Sequence, residues 1–172
     1  METFSTRVNY LMSVFIYTTA VFAIMIAFHS YTKPTDVEVS IKVKNALTKA
    51  VDSYKSVTYD LATVKANIQA NFTNIFDWNV RQVFIFMVLT YETKDKKVES
   101  TIWDFIMLRE NNQFIDLKNE KSKYTVVERH NLINNNKAKS KLSLRWNIIP
   151  NTGLFLWNRA PDSGEFTFIP RY

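Results

Sequence analysis

Few residues in this chain are able to do chemistry. Its two histidines, His29 and His130, stand far apart, and cysteine is absent. A thiolate zinc site, a cysteine nucleophile and a disulfide framework are therefore excluded. The carboxylates are scattered singly among basic neighbours, and no Asp/Glu cluster has metal-ligand spacing. Hydrolysis needs a nucleophile, a base and an oxyanion hole. Serines and lysines are plentiful, yet none sits in a catalytic sequence setting. His130, in Glu128-Arg129-His130-Asn131, would need a serine brought to it from elsewhere, and reads as a surface-loop imidazole. Two glycines are too few for a phosphate-cradling loop or a dinucleotide fingerprint. The sequence thus displays no catalytic residue, no metal site and no cofactor site, and any part in catalysis falls to a partner.

At 172 residues and 20.2 kDa the chain is long enough for one domain. Its 47% hydrophobic and 15% aromatic content excludes a disordered protein. The net charge, 22 − 16 = +6, suits acidic partners or anionic surfaces. Nucleic-acid binding would need basic residues interleaved with exposed aromatics. Here most aromatics fall inside strand patterns, so no nucleic acid is expected as a partner.

The elements that must position a working surface begin with one long apolar run. Tyr10–Phe28 (YLMSVFIYTTAVFAIMIAF) is interrupted only by Ser13, Thr18 and Thr19, whose hydroxyls can bond the preceding helical turn. At ~1.5 Å per residue it reaches roughly 28 Å, close to the hydrocarbon thickness of an endoplasmic reticulum bilayer. A cleaved signal peptide would have a shorter core and a small–x–small exit, whereas this one leaves as Ala27-Phe28-His29-Ser30-Tyr31. A buried helix would show a polar face. The run therefore reads as a transmembrane signal-anchor over 10–28, after a cytosolic tail of 1–9. His29 sits at the membrane boundary as an interfacial ring. Arg7 and Lys33 leave the local charge bias close to nil. The very short N-tail favours a type II orientation.

Residues 29–36, with Pro34, read as a linker, and 37–172 as a β-domain. Val37–Lys44 alternates apolar and polar residues, as does the longer stretch Ala62–Phe72. Val83–Leu89 is apolar on both faces, as a central strand requires. Ile102–Leu108, Tyr124–Val127 and Leu142–Ile148 are further strands, and Phe166–Ile169 is placed to close the sheet. In Lys44–Tyr54, the residues Ala46, Leu47, Ala50, Val51 and Tyr54 also suit one face of a helix. Lys94–Lys97 reads as a hairpin tip and Asn134–Lys141 as a solvated loop. Short strands between polar turns imply a mainly β fold, an antiparallel β-sandwich after the single helix. About 140 residues bury enough surface to stand without disulfides.

Asn71-Phe72-Thr73 is the only N-glycosylation sequon. The stretch that follows, Asn74-Ile75-Phe76-Asp77-Trp78-Asn79-Val80-Arg81-Gln82, reads as a structured corner. Asn and Asp bond local backbone there, while Ile75, Phe76 and Trp78 anchor to the core. Together with the apolar Val83–Leu89 it resembles the third subunit of the eukaryotic signal peptidase complex, the 22/23 kDa glycoprotein-type family. Further matches follow in order: the N-terminal anchor, Ile102-Trp103-Asp104 with Ile106 and Leu108-Arg109, then Lys123-Tyr124, then Trp146-Asn147-Ile148-Ile149-Pro150-Asn151-Thr152-Gly153. The resemblance spans essentially the whole chain.

That resemblance implies a single-pass type II subunit of the endoplasmic reticulum membrane with a lumenal β-sandwich and no catalytic residue or cofactor of its own. It also implies partners: the catalytic subunit that cleaves signal peptides, and the other subunits of the complex. Relatives often carry a sequon just before the Trp-Asn strand, where this chain has Lys139-Ser140-Lys141. Asn71 is therefore not a like-for-like replacement. Trp78 and Trp103 are expected in core or rim packing, and Trp157 as a partner contact. Two other readings stand beside this one. One is a membrane-anchored lumenal hydrolase with His130 as base; the other is a lumenal binding module associated with the translocation channel.

Overall fold

The computed structural model describes residues 3–52, 58–92, 96–129, 133 and 139–170. It opens with a helix, α1 (Phe4–Tyr31), capped by the Thr3 side chain. The hydroxyls of the apolar run turn back onto the helix. Ser13 donates to the Asn9 carbonyl at 2.9 Å, Thr18 to Val14 at 2.7 Å and Thr19 to Phe15 at 2.8 Å. This is how a hydroxyl is satisfied where no water is available. None of the helix residues is buried, and the helix is long and apolar enough to cross a membrane. Its one partly covered stripe is Ala23, Ile26, Ala27 and Ser30, the i, i+3, i+4, i+7 face of the last two turns.

Among the described residues nine strands follow: β1 (Glu38–Asp52), β2 (Thr58–Asn71), β3 (Val80–Glu92), β4 (Lys97–Leu108), β5 (Phe114–Lys121), β6 (Val126–Arg129), β7 (Ser140–Pro150), β8 (Leu156–Arg159) and β9 (Ile169–Pro170). One sheet runs β9-β1-β2, with β5 and β6 lying end to end along the far edge of β2. The other runs β4-β3-β7-β8. A single buried cluster draws on both: Val64 and Ile68 from β2, with Phe72 just past its end, meet Ile85, Leu89, Leu144 and Trp146 from β3 and β7. Two sheets sharing one core make the expected sandwich. On β2 the inward residues alternate small and large (Ala62, Val64, Ala66, Ile68, Ala70), which leaves room for the bulk of Trp146. The Trp146 indole N–H has no hydrogen-bond partner among the described residues. Its ring meets Phe72 edge-on at 5.6 Å and 90°.

Val83–Leu89 is central, as its two-sided apolarity requires, since β3 pairs with β4 on one side and β7 on the other. The Tyr91 hydroxyl of β3 donates to the Glu128 carboxylate of β6, tying one sheet to the other. Burial, and then that carboxylate, push the Tyr91 pKa well above the usual tyrosine range.

Three local differences from the sequence pattern have physical causes. The helical face at Lys44–Tyr54 is not realised: β1 runs on to Asp52, and Tyr54 lies outside the described residues. A bulge between Val43 and Asn45 shifts the inward set from Val39, Ile41 and Val43 to Ala46 and Thr48. A one-residue slip in a period-2 pattern imitates helical spacing. Strand β5 carries little signal, because its alternation is confined to Ile115 and Leu117 before Asn119 adopts φ 57°. The C-terminal segment does not simply close one sheet. Phe166 bridges Ser140 of β7, while Ile169 and Pro170 pair parallel to β1 at its edge, where a missing N–H is tolerated. The Glu92↔Lys97 pairing shows a chain reversal at the lysine-rich hairpin, but Thr93–Asp95 lie outside the described residues, as do His130 and 134–138.

Ile85 is fully buried at the centre of the core. Ile85→Ala is expected to cost about 2–5 kcal/mol, read as thermal unfolding of the full chain in detergent micelles. Thr101→Ala, exposed on β4, should stay within about 0.5 kcal/mol.

Candidate functional site

The corner Asn74–Gln82 and the turn Pro150–Gly153, far apart in sequence, meet at the end of α1. Asn79 is buried and joins them. Its side-chain N–H₂ donates to Ser30 Oγ of the helix at 2.7 Å and to the Thr152 carbonyl at 2.9 Å. Its carboxamide oxygen accepts from the Thr152 N–H at 3.1 Å, and its main-chain carbonyl accepts from Asn151 N–H at 2.7 Å. Asp77 shapes the corner by accepting from the Asn79 and Val80 amides at 2.8 and 3.1 Å. Lys33, two residues past the helix, donates to the other carboxylate oxygen of Asp77. Partial burial pushes the Asp77 carboxyl up. The Lys33 hydrogen bond, the Asn79 amide, the Lys33 charge and the Val80 amide together pull it below its ordinary value.

A second clamp holds the linker. Asn158 of β8 donates to the Thr35 carbonyl at 3.0 Å and to Thr35 Oγ1 at 2.8 Å. Gly153, at φ 118°, lies so close to the helix that a β-carbon would come within 3.3 Å of Ala27 Cα. Only glycine suits both conditions.

The remaining motif segments also converge. Tyr124 N–H donates to the Ile102 carbonyl at 3.0 Å, and the Tyr124 hydroxyl to Asp104 at 3.0 Å. Lys123 bonds the Asp104 carbonyl and carboxylate, and its ammonium lies 5.5 Å from the Trp103 ring centroid. The Trp103 N–H reaches Glu120 of β5 at 3.4 Å. Between these edges runs a groove of about 380 Å³ lined by Trp103, Phe105, Phe114, Leu117 and Lys123. Arg109 donates to the Val80 carbonyl at 3.0 Å, linking this end to the corner.

Of the corner residues, Ile75 is buried and Phe76 partly so, but Trp78 is 58% exposed and does not anchor to the core. The Asx turn at Asp77 holds the backbone with Phe76 against the core and Trp78 on the outside. Asn74 is exposed; Gln82 lies half-buried on β3 opposite Ile149. Trp103 and Trp146 are buried; Pro150 is half-buried. Asn71 is exposed, its carboxamide oxygen accepting from the Thr73 hydroxyl at 2.6 Å. His29 is exposed in the last helical turn. Asn158 and Ser30 were not legible as joint residues, because single polar side chains carry no pairing signal.

Trp157 is 65% exposed on the outer face of the β4-β3-β7-β8 sheet. There it meets Phe86 edge-on at 6.2 Å, and Phe86 stacks with Phe84 at 5.5 Å. Cross-strand pairing sets Ile106, Phe84, Asn147 and Trp157 in one row, with Asp104, Phe86, Arg145 and Arg159 in the next. Asn147 is buried, with its side-chain oxygen lacking a hydrogen-bond partner among the described residues. Arg145 binds Glu99 at 2.8 Å and holds that carboxyl below its usual range. Among the described residues no group of three or more His, Asp or Glu is placed to hold a metal ion. What this arrangement offers is a braced platform carrying an aromatic face.

Asn79→Ala leaves the Thr152 backbone groups unpaired. It should cost about 1–3 kcal/mol and speed hydrogen exchange at Thr152 but not at Asn151, as read by mass spectrometry in micelles. The Asp77 contribution is present in full above the unfolded carboxylate value of about 4 and fades as pH falls through the lowered folded value. The stability gap between the natural chain and Asp77→Asn should therefore be constant near neutrality and close in acid, measured by denaturant titration across pH.

Residues 1–171 match the family model described as signal peptidase subunit. The chain is 35% identical over 138 residues to signal peptidase complex subunit 3 of Drosophila melanogaster, covering 78% of this chain and 76% of that one. It is 33% identical over 147 residues to the Caenorhabditis elegans protein of the same name, covering 84% and 79%. To the Homo sapiens protein of that name it is 34% identical over 125 residues, covering 71% and 69%. Among solved structures, Spo0M, a sporulation control protein from Bacillus subtilis, aligns with 79% of this chain but only 49% of its own, at 10% identity and a TM-score of 0.25. With the family model covering nearly every residue and relatives above 30% identity over most of both chains, this protein belongs to the signal peptidase subunit family.

Proposed function

We propose that this chain is a non-catalytic subunit of the signal peptidase complex, held in the endoplasmic reticulum membrane by α1 in a type II orientation, with its sandwich in the lumen. The observation that carries this reading is the family match over residues 1–171. In this role the sandwich docks the catalytic subunit and holds its cleft at a fixed height above the bilayer. That is positioning rather than chemistry. The braced joint supports it, because a scaffold that pivots freely on its anchor sets no height. In this reading Asn71, exposed at the end of β2, is the sugar acceptor on the lumenal side.

The docking face in this proposal is the outer-face patch of Phe84, Phe86, Ile106 and Trp157. An exposed tryptophan over half-buried phenylalanines, beside a fixed arginine, has the composition of an interface centre. Trp157→Asp should leave the sandwich folded, since the ring is largely in solvent, and should reduce recovery of the serine-type catalytic subunit when the full chain is purified in detergent and its partners are identified by mass spectrometry. Unchanged recovery would remove Trp157 from the interface. Capture of the translocation channel without any peptidase subunit would overturn the functional reading itself, as would peptide-bond cleavage by the isolated chain that His130→Ala abolishes.

A further inference from the structure

We infer that the turn Asn151–Leu156 is a second membrane contact, seating Leu154 and Phe155 in the interfacial zone of the lipid leaflet on the sandwich's side. The inference does not depend on which complex the chain joins.

It begins from where the turn lies. Gly153 abuts Ala27, and a hollow between helix and turn is lined by Ile24, Ala27, Phe28, Tyr31, Leu154 and Leu156. Ile24, Ala27 and Phe28 belong to the uninterrupted apolar run of α1. Residues that pack beside a spanning segment share its depth, so the turn lies no farther from the bilayer centre than the last two helical turns. The covered stripe Ala23–Ile26–Ala27–Ser30 marks the same level from the helix side.

The turn's chemistry matches that depth. From Trp146 to Asn158 no residue is charged. Leu154 is 79% exposed and Phe155 60% exposed, which suits lipid better than water. Tyr31, at the end of the helix beside them, is an exposed aromatic side chain, a residue type that settles at headgroup level. Irregular backbone is excluded from hydrocarbon unless its polar groups are paired. Here the Asn151 and Thr152 amides and the Thr152 carbonyl are all bonded to Asn79. With those groups satisfied, the apolar tip can rest at headgroup level, where water and headgroups remain to pair the main chain of Leu154 and Phe155. The occupant is therefore lipid rather than another polypeptide, because the site continues the surface of the helix itself.

The test uses the full chain, which has no cysteine of its own. Leu154→Cys, Phe155→Cys, Tyr31→Cys and Lys49→Cys are each labelled with an environment-sensitive fluorophore and reconstituted alone into phosphatidylcholine vesicles. A fraction of the lipid carries a nitroxide on its headgroup. Lys49 lies eleven residues beyond the start of β1 at Glu38, about 36 Å along the strand, and serves as the distant reference. Labels at 154 and 155 are expected to be quenched to the extent of the label at 31 and several-fold more than the label at 49. Quenching at 154 and 155 no greater than at 49 would overturn the inference. So would protection from a water-soluble quencher that arises only when the other subunits are added, an outcome that would make the turn a protein interface.

Discussion

A helix joined to a β-domain by six residues, Thr32–Val37, would ordinarily pivot. In this protein one carboxamide ties the two together. Asn79 spends both faces of its amide on partners from different elements: Ser30 of the helix and the main chain of Thr152. Neither contact is worth much alone, since a net hydrogen bond contributes about 1 kcal/mol. Their joint effect is geometric, because together with the Lys33–Asp77 ion pair and the Asn158–Thr35 clamp they oppose rotation of the linker from several sides. Everything the sandwich presents to a partner, and its height above a membrane, follows from that constraint.

Several of the segments that carry the family resemblance meet in this joint or in one other cluster. The corner around Asn79 meets the turn around Thr152, and Ile102–Asp104 meets Lys123-Tyr124. Arg109 spans the two groups through the Val80 carbonyl. These residues make structural bonds to one another, and the outward surface is left to Phe84, Phe86, Trp157 and the groove beside Trp103. For the proposed role of placing another protein, bonds of this kind are physically sensible. The recognisable segments set the frame and also reach the surface, since Phe84, Phe86 and Ile106 belong to them.

Reading the chain in advance succeeded where a single periodicity ran without interruption. The apolar run of α1, the alternation Ala62–Phe72 and the two-sided apolarity of Val83–Leu89 each had one interpretation. It failed where one local event broke the period. The bulge after Val43 moved the inward set by one residue and mimicked a helix through Ala46, Leu47 and Ala50. Asn119, in a left-handed conformation with its N–H bonded to Asn67, cut short the pattern of β5. Trp78 misled for another reason. A large aromatic beside Ile75 and Phe76 resembles a core residue, but the turn geometry set by Asp77 decides which way it faces, and it faces outward.

The sequence alone determined that one helix can span a bilayer, that the remainder is built of strands, and to which family the residues point. Those properties depend on composition and on repeats of two or 3.6 residues, which are local. Only the tertiary structure decided that Asn79, Ser30 and Thr152 form one joint, that Trp157 joins Phe84 and Phe86 on a common face, and that Leu154 comes to rest beside Ala27. Each of these unites positions dozens of residues apart, and such contacts exist only once strand order and register have placed them within hydrogen-bonding or van der Waals reach.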